Sequence, residues 1–284
     1  MIRRLLIFIT ILAVTAALGG YFLSVERAQS QKQHATAKAP EQQLTIIEGW
    51  TTAQIDQYLA GKQLIQAGDF IAAEKKYDTK NFPLLASRPA GADLQGFLFP
   101  DTYRVYKNTA SGTELSEQLI SKMLNNFSAK FTPDMQAQAA AQKMSVYQIL
   151  TLASIIEKET GRNAVSAAQK QALDQERKTI AGIFYNRLNA GMPLESDATV
   201  NYATGKNDPQ PTLADTQINS PYNTYLRKGL PPGPICSPSL SSILAALYPT
   251  KTDYLYFLHD QTTGQAIFAV TYDQHLQNKQ KYLH

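Results

Sequence analysis

Hydrophobic positions along the chain follow the periods of both helices and strands. Over most of the sequence they recur every three or four residues, which is the spacing of one helix face. This spacing predicts helices over 53–60, 67–77, 113–127, 135–143, 145–160, 179–189, 240–247 and 272–283. Short apolar runs predict strands at 44–49, 102–106, 254–258 and 266–270, the last two forming a hairpin. The mixture predicts an α+β fold.

The N-terminal segment has a different pattern. Residues 5–25 carry no charge, and a helix of that length covers about 30 Å, the thickness of a bilayer core. Arg3 and Arg4 precede it, so the positive-inside rule makes residues 1–4 a cytoplasmic stub and places the later residues outside. We therefore predict a single transmembrane helix at 5–25. A cleaved signal peptide and a buried core helix are the alternatives.

The rest of the chain divides into a linker and two units. Residues 26–43 are polar and lack large apolar side chains, so we predict a flexible tether. Residues 44–130 carry one α+β pattern and residues 131–284 a second. Within the second unit, residues 192–238 contain eight prolines and no long periodic run. A loop of that length in a compact domain is usually functional.

Composition limits the class of protein, its expected partners and the groups that could carry out catalysis. The chain has 284 residues, of which 44% are hydrophobic and 18% charged, and these values exclude a mostly disordered protein. The net charge of +4 comes without a dense basic block, so nucleic acid is not an expected partner. With a single cysteine, Cys236, and four histidines that lack metal-binding spacing, we predict no metal and no cofactor. Carboxylates, hydroxyls and amides are the remaining candidate catalytic groups.

Two glutamates near the end of the predicted helix at 145–160 lie away from its polar face. On a helical wheel, Glu157 and Glu159 fall on opposite flanks of the apolar arc. Apolar neighbours and the negative end of the helix dipole both raise the pKa of a carboxyl group, and Glu159 is nearer that end. A carboxylic acid that keeps its proton near neutral pH can act as a general acid. In the alternative interpretation both are flank glutamates paired with Lys158, Arg162 or Arg187.

Several segments resemble one protein family, and they follow the same order. They are GFLFPDTY (96–103), ILTLASIIEKETG (149–161), IAGIFYNRLNAGMPLESDATVNY (180–202), NSPYNTYLRKGLPPGPI (219–235) and PTKTDYLYF (249–257). Together they resemble the MltG (YceG-like) family of endolytic murein transglycosylases. The agreement extends from about residue 44 to the C-terminus.

The resemblance implies a fold and a function. It implies a small LysM-like α/β accessory unit at 44–130 and a mixed α+β YceG-like catalytic domain at 131–284. The implied enzyme is a membrane-anchored lyase with Glu159 as its catalytic residue. It would cleave the MurNAc–GlcNAc bond of nascent glycan strands, leave a 1,6-anhydro-MurNAc end and so terminate strand elongation. Peptidoglycan strands and peptidoglycan synthases are the expected partners, and the catalytic domain is expected outside the bacterial plasma membrane.

Six further residues are candidates for binding the glycan. They are Asp197, Thr199, Tyr222, Asn223, Asn186 and Arg187. Asp197 and Thr199 would hydrogen-bond sugar hydroxyls or, alternatively, hold their loop. Tyr222 and Asn223 offer a stacking ring and an amide, or an asparagine-centred turn. Asn186 and Arg187 would line the cleft or pair with Glu157.

Two other functions stay open from the sequence. A non-catalytic peptidoglycan-binding scaffold would use the LysM-like unit without cleaving the strand. A hydrolytic muramidase would need a second positioned carboxylate, because glycosidases that add water work with a pair of carboxyl groups. Asp197 is the one candidate for that second group.

Overall fold

The computed structural model describes residues 41–106, 111–161, 165–206, 208 and 210–283. The predicted cytoplasmic stub, the transmembrane helix at 5–25 and residues 26–40 of the predicted tether lie outside these residues. The prediction that the tether extends to residue 43 is wrong, because residues 41–43 belong to a strand that pairs with a second strand. Among the residues that are described, no helix is both long and apolar enough to cross a membrane. The described residues of 43–105 and 111–283 pack as one compact unit.

The N-terminal part of the described chain contains a two-stranded sheet and three α-helices. Its elements are β1 (Glu41–Thr45), α1 (Thr52–Gly61), α2 (Asp69–Lys76), a 3-10 helix (Pro83–Ser87), β2 (Thr102–Tyr106) and α3 (Gly112–Lys130). β1 pairs with β2, and α2 packs on α1 and α3. α1 begins at Thr52, one residue before its predicted start, where the Thr51 hydroxyl accepts from the Gln54 N–H while the Gln54 side chain accepts from the Thr51 N–H.

The C-terminal part is built around one buried helix. Its elements are α4 (Pro133–Ala141), α5 (Val146–Glu159), α6 (Ala167–Asn189), α7 (Asp197–Thr204), a 3-10 helix (Asp215–Gln217), α8 (Leu240–Leu247), β3 (Tyr256–His259), β4 (Ala266–Ala269) and α9 (Tyr272–Tyr282). α5 is buried along most of its length and packs on α6, α7 and α8. β3 and β4 form an antiparallel hairpin against which α9 packs. The predicted α+β class is confirmed, and the C-terminal end of α5 carries the two predicted glutamates.

α6 differs most from its predicted bounds. It begins at Ala167, whereas the apolar spacing predicts a start at residue 179. Residues 167–172 are exposed and mostly polar or small, so no hydrophobic period marks this part of the helix. A capping box formed by Ser166 and Gln169 starts the helix instead.

Aromatic packing crosses the predicted boundary between residues 130 and 131. The Phe97 ring, which lies before β2, packs edge-on against Phe127 of α3 with ring centroids 5.4 Å apart. The same ring stacks on Tyr147 of α5 at 6.0 Å. Buried side chains from both predicted units thus belong to one hydrophobic core. The division into a unit at 44–130 and a unit at 131–284 stays a prediction.

A buried amide ties the proline-rich segment to this core. The Gln95 side chain accepts from the Thr52 N–H at 3.1 Å and donates to the Pro234 carbonyl at 2.8 Å and to the Tyr202 hydroxyl at 3.1 Å. Gly96, next to it, has a φ of +89°, and a Cβ there would lie 2.5 Å from the Pro234 side chain. Only glycine allows this close approach. The contact fixes the 229–235 loop near α5 and α7.

Glu74 of α2 is a buried carboxyl group in the same region. One of its oxygens, Oε1, accepts from the Leu94 N–H at 2.7 Å and from the Thr52 hydroxyl at 3.4 Å. Burial, with the charge of Asp93 nearby, raises its pKa from about 4.5 to about 7. Because the folded protein then binds this proton more tightly than the unfolded chain, stability is lost as the pH rises from about 4.5 through about 7.

Replacing Glu74 with glutamine is expected to stabilise the protein at pH 8 and to have little effect at pH 4. The amide does not ionise and its oxygen keeps both acceptor roles, so the gain at pH 8 reaches up to about 3 kcal/mol. Urea unfolding at both pH values measures it, with Glu117→Gln on the exposed side of α3 as the control. An equal effect of Glu74→Gln at the two pH values contradicts this account of Glu74.

Candidate active site

The two glutamates lie in the last turn of α5 but in different surroundings. α5 starts at a capping box formed by Ser145 and Gln148. It ends at Glu159, after which the Thr160 hydroxyl donates to the Ile156 carbonyl at 2.7 Å. Glu157 is 5% exposed, whereas Glu159 is half-buried. The last turn of α5 therefore carries one buried glutamate and one that keeps partial exposure.

Glu157 links α5 to the start of α8. Its Oε2 accepts from the Ser239 N–H at 2.9 Å, from the Ser239 hydroxyl and from the Ser242 hydroxyl at 2.7 Å. Its Oε1 lies 3.9 Å from the guanidinium group of Arg177, which is also buried. With these donors and this cation, Glu157 is a structural carboxylate.

Glu159 lies against the N-terminus of α7. Its Oε1 accepts a hydrogen bond from the Ser196 hydroxyl, and the backbone N–H of Ala198 lies close enough to lower the pKa of the carboxyl group. Ser196 is the residue before α7 and Ala198 lies in its first turn. Free N–H groups and the positive end of the helix dipole therefore face this carboxyl group. The Ser196 hydroxyl holds the carboxyl group, and the residue as a whole keeps partial exposure.

The surroundings of Glu159 act on its pKa in opposite directions. Burial is the largest effect and raises the pKa, and the charge of Asp197 adds to the rise. The hydrogen bond from Ser196, the charge of His259 and the Ala198 N–H lower it. The net shift is upward, in the direction that the sequence predicts. A raised pKa keeps the proton on this group closer to neutral pH, as a general acid requires.

Two buried threonines fix the turn that carries Ser196. The Ser196 N–H donates to Thr224 Oγ1 at 3.1 Å, and the Thr199 hydroxyl donates to the Ser196 carbonyl at 2.7 Å. The two threonine hydroxyls lie 2.8 Å apart. Thr199, a predicted glycan-binding residue, thus makes these hydrogen bonds within the protein and supports the partner of Glu159.

Asn223 shapes the segment next to Thr224. It is buried, and its amide donates to the carbonyls of Thr216 and Ile218 at 3.0 and 2.9 Å. Its Oδ1 accepts from the Tyr225 N–H at 3.0 Å. This is the asparagine-centred turn that the sequence left as an alternative to glycan binding.

Asp197 and Tyr222 are predicted binding residues that keep partial exposure. Oδ1 of Asp197 accepts from the Tyr225 hydroxyl at 2.6 Å, and burial raises the pKa of this aspartate. The Tyr222 ring lies 4.8 Å from the Tyr202 ring, centroid to centroid, with an interplanar angle of 54°. Both side chains therefore have surface that a ligand can contact.

Arg187 is buried and binds main-chain carbonyls. Its guanidinium donates to Leu194 O at 3.0 Å and to Leu255 O at 2.7 Å, and it forms an ion pair with Glu195 at 2.8 Å. The suggested pairing of Arg187 with Glu157 is wrong, because these contacts occupy the guanidinium group and Arg177 takes that place. Its neighbour Asn186 likewise donates to backbone carbonyls, those of Thr252 and Tyr254 at 2.8 and 2.9 Å.

The residue before Ser196 has an unusual backbone conformation. Glu195 has a φ of +51°, in the left-handed region that non-glycine residues rarely adopt. Its N–H donates to the Thr224 carbonyl at 3.0 Å, and its carboxylate is held by Arg187. These contacts hold Glu195 in a conformation that is costly by itself and direct the chain into Ser196.

Two residues near Glu159 are absent from the candidates that the sequence suggests. A serine before a short helix signals a helix cap, and nothing local pairs Ser196 with a carboxylate 37 positions earlier. His259 of β3 lies near enough to Glu159 to lower its pKa, and its Nε2 is 3.6 Å from Oε1 of Glu176. Tertiary packing creates both relationships.

A cavity of about 690 Å³ lies toward the opposite, N-terminal end of α5. Tyr147, Thr151 and Tyr185 are among its lining residues, and Glu159 is not. The surroundings of Glu159 are therefore a separate feature. In the part of the chain that the structure describes, no group of three or more His, Cys, Asp or Glu side chains is arranged to hold a metal ion.

The fold and the site define an α+β protein whose candidate active site centres on one carboxyl group at the end of a buried helix. The sequence model of the YceG-like family matches residues 8–281. The chain therefore belongs to the YceG-like family.

Individual relatives agree with this membership. An endolytic murein transglycosylase of Bacillus subtilis (strain 168) is 37% identical over 252 residues, which is 85% of this chain and 65% of that protein. A protein of the same name from Streptococcus pneumoniae (serotype 2, strain D39) is 38% identical over 260 residues, 83% of this chain and 43% of that protein. The chain thus spans less than two thirds of either curated relative. The crystal structure of a YceG-like protein from Listeria monocytogenes has a TM-score of 0.69 and 34% identity, covering 89% of this chain and 80% of that one.

The two glutamates are expected to differ in their effect on stability. Glu157→Gln turns an amide N–H₂ toward hydrogen-bond donors or toward Arg177. We expect it to lower the free energy of unfolding by about 2 to 4 kcal/mol. Glu159→Gln keeps an acceptor for Ser196 and removes a charge that burial disfavours. It is therefore expected to leave the protein equally or more stable at pH 8.

Chemical denaturation of the two variants at pH 8 measures this difference. A large loss of stability in Glu159→Gln, or none in Glu157→Gln, contradicts the assignment of Glu157 as the structural carboxylate.

Proposed function

We propose that this protein is an endolytic lytic transglycosylase of peptidoglycan. It cleaves the MurNAc–GlcNAc bond within nascent glycan strands and leaves a 1,6-anhydro-MurNAc end, which terminates elongation. The observation that carries the proposal is Glu159: a half-buried glutamate at the end of a buried helix, with a raised pKa and a hydrogen bond from the Ser196 hydroxyl to its carboxyl group. The relatives of the same family that are named endolytic murein transglycosylases support the substrate.

One carboxyl group is sufficient for both proton transfers of this reaction. Protonated Glu159 donates its proton to the glycosidic oxygen as the bond from C1 to that oxygen breaks. The resulting carboxylate accepts the proton of the C6 hydroxyl of the same MurNAc, and the C6 oxygen bonds to C1. Glu159 regains its proton and no water is consumed. Attack from within the same sugar gains from high effective concentration.

The charges around Glu159 suit a group that must hold a proton and later accept one. Burial and Asp197 favour the acid form before cleavage. The Ser196 hydroxyl and the Ala198 N–H stabilise the carboxylate once the proton has left. A group with both kinds of neighbour can change between donor and acceptor within one turnover.

The six predicted binding residues divide by their surroundings. We propose that the partly exposed Tyr222 stacks on a sugar ring and that Asp197 accepts from a sugar hydroxyl. Thr199, Asn223, Asn186 and Arg187 make hydrogen bonds to protein atoms. We propose that these four act on the glycan indirectly, through the loops that they hold.

Analysis of strand ends tests the reaction. The full chain in mild detergent is incubated with uncrosslinked peptidoglycan strands, and the new ends are identified by mass spectrometry. We expect anhydro ends from the wild type, and in Glu159→Gln a rate lower by about 10²- to 10⁴-fold, the usual contribution of a general acid. Asp197→Asn serves as the second variant.

The alternatives give different products. New reducing ends that disappear in Asp197→Asn indicate a muramidase that uses two carboxylates. A folded protein that binds strands and never cleaves them indicates a scaffold. Either result overturns the proposed reaction.

We also propose the arrangement of the chain at the membrane. Residues 5–25 span the plasma membrane, 26–40 form a tether, the residues from β1 to 130 a LysM-like unit and 131–284 the catalytic domain, outside the cytoplasm. The support is the uncharged 5–25 segment after Arg3 and Arg4. An anchor of this kind would keep the site near newly made strands and the synthases that extend them.

Charges placed in the apolar segment test the anchor. After expression in bacteria, the full chain is expected to remain in carbonate-washed membranes. Protease added outside spheroplasts is expected to digest it. Leu12→Lys with Val14→Lys introduces a cost of about 3 kcal/mol per charge and is expected to abolish membrane integration. A shortened wild-type protein released from the membrane indicates a cleaved signal peptide instead.

A further inference from the structure

Ser196 occupies the N-cap position of α7 but does not cap that helix. In the described part of the chain, seven other helices begin after a serine or threonine whose side chain accepts from a backbone N–H of the first turn: Thr51, Ser111, Thr132, Ser145, Ser166, Ser239 and Thr271. Ser196 makes no such bond. Its hydroxyl donates to Oε1 of Glu159 instead.

The carboxyl group of Glu159 lies close to the uncapped start of α7. An N-cap side chain normally accepts from the second or third N–H of the helix. Here the N–H of Ala198, the second residue of α7, lies close enough to Glu159 to lower its pKa. The candidate acid on α5 therefore faces the start of α7, and Ser196 directs its hydrogen toward this acid rather than accepting from its own helix.

We propose that Ser196 is a positioning residue for Glu159, fixing its rotamer and directing the acid proton to Oε2 by donating to Oε1. A carboxylic acid carries its proton on one oxygen and accepts on the other. A donor held at Oε1 makes that oxygen the acceptor and leaves Oε2 to carry the proton to the glycosidic oxygen. This inference rests on the proposed function, in which Glu159 is the acid.

Ser196 is held tightly enough for this role. It is 2% exposed, and its backbone is bonded on both sides by Thr224 and Thr199. The preceding Glu195 is kept at a positive φ by its contacts with Arg187 and Thr224. A hydroxyl on so constrained a turn has a nearly fixed position. The carboxylate that accepts its hydrogen bond is therefore held in one place.

Among the residues that the structure describes, the charged and titratable groups that act on Glu159 lie on three other segments. They are Asp197 at the start of α7, Tyr225 in the loop after the second 3-10 helix, and His259 of β3. Ser196→Ala leaves all three in place and removes one donor from the carboxylate. The pKa of Glu159 is then expected to rise, because that hydrogen bond lowers it.

Two measurements on the full chain in mild detergent test the proposal. The carboxyl carbon of Glu159 is titrated by NMR after selective glutamate labelling, with its signal assigned by its absence in Glu159→Gln. Strand cleavage is measured against pH. In Ser196→Ala we expect Glu159 to titrate at higher pH, the loss of activity on the alkaline side to move in the same direction, and turnover at the optimum to fall about 10- to 100-fold.

Two further variants separate positioning from a structural role. Ser196→Thr keeps the hydroxyl and is expected to restore the wild-type titration. Ser242→Ala is the matched control, because it removes a buried hydroxyl from the other glutamate, Glu157. It is expected to lower stability while the titration of Glu159 and the alkaline limb of the pH profile stay unchanged.

The outcomes distinguish this inference from the proposed function. If folded Ser196→Ala has the wild-type titration and pH profile, Ser196 does not position Glu159, even though the enzyme cleaves strands. If Ser242→Ala moves the titration of Glu159 equally, the effect is a general loss of packing and the inference is overturned. If wild type and Glu159→Gln cleave equally, the proposed function itself fails, and the NMR titration still reports on the hydrogen bond.

Discussion

The hydrogen bond between Ser196 and Glu159 joins the two helix ends on which the site depends. α5 brings a carboxyl group to its negative end, where ionisation is disfavoured, and α7 presents its positive end to the same group. The negative end of α5 alone would favour the protonated form, and the positive end of α7 alone would favour the carboxylate. Together they allow the group to adopt either form, as one group that serves as both acid and base requires.

Much of the surrounding structure supports this one contact. Asn223 shapes the turn beside Thr224, and Thr224 and Thr199 fix the backbone of Ser196. Arg187 holds Glu195 in its positive-φ conformation. Residues that the sequence predicts to bind sugar thus position the contact between Ser196 and Glu159. Strain and desolvation at the site are offset by the buried core around α5.

The sequence predicts α5 and its end well, because Ser145 begins a long apolar helix and the last turn carries both glutamates. It predicts the positions of α1, β2, α8 and α9 for the same reason: local caps and periods agree with the fold. It does not predict the first half of α6, which lacks an apolar face, nor α7 within the proline-rich stretch. It also does not assign Glu157 to Ser239, Ser242 and Arg177, or Ser196 to Glu159, because these partners are distant in the chain and meet only through packing.

Cleavage in water labelled with oxygen-18 tests the central claim most directly. If Glu159 alone passes a proton from the C6 hydroxyl to the leaving oxygen, the new MurNAc end forms from atoms of the strand itself. We then expect products without heavy oxygen and one water molecule lighter than hydrolysed strands. Heavy oxygen at the new end would show that water attacks C1, and would contradict the single-carboxylate account.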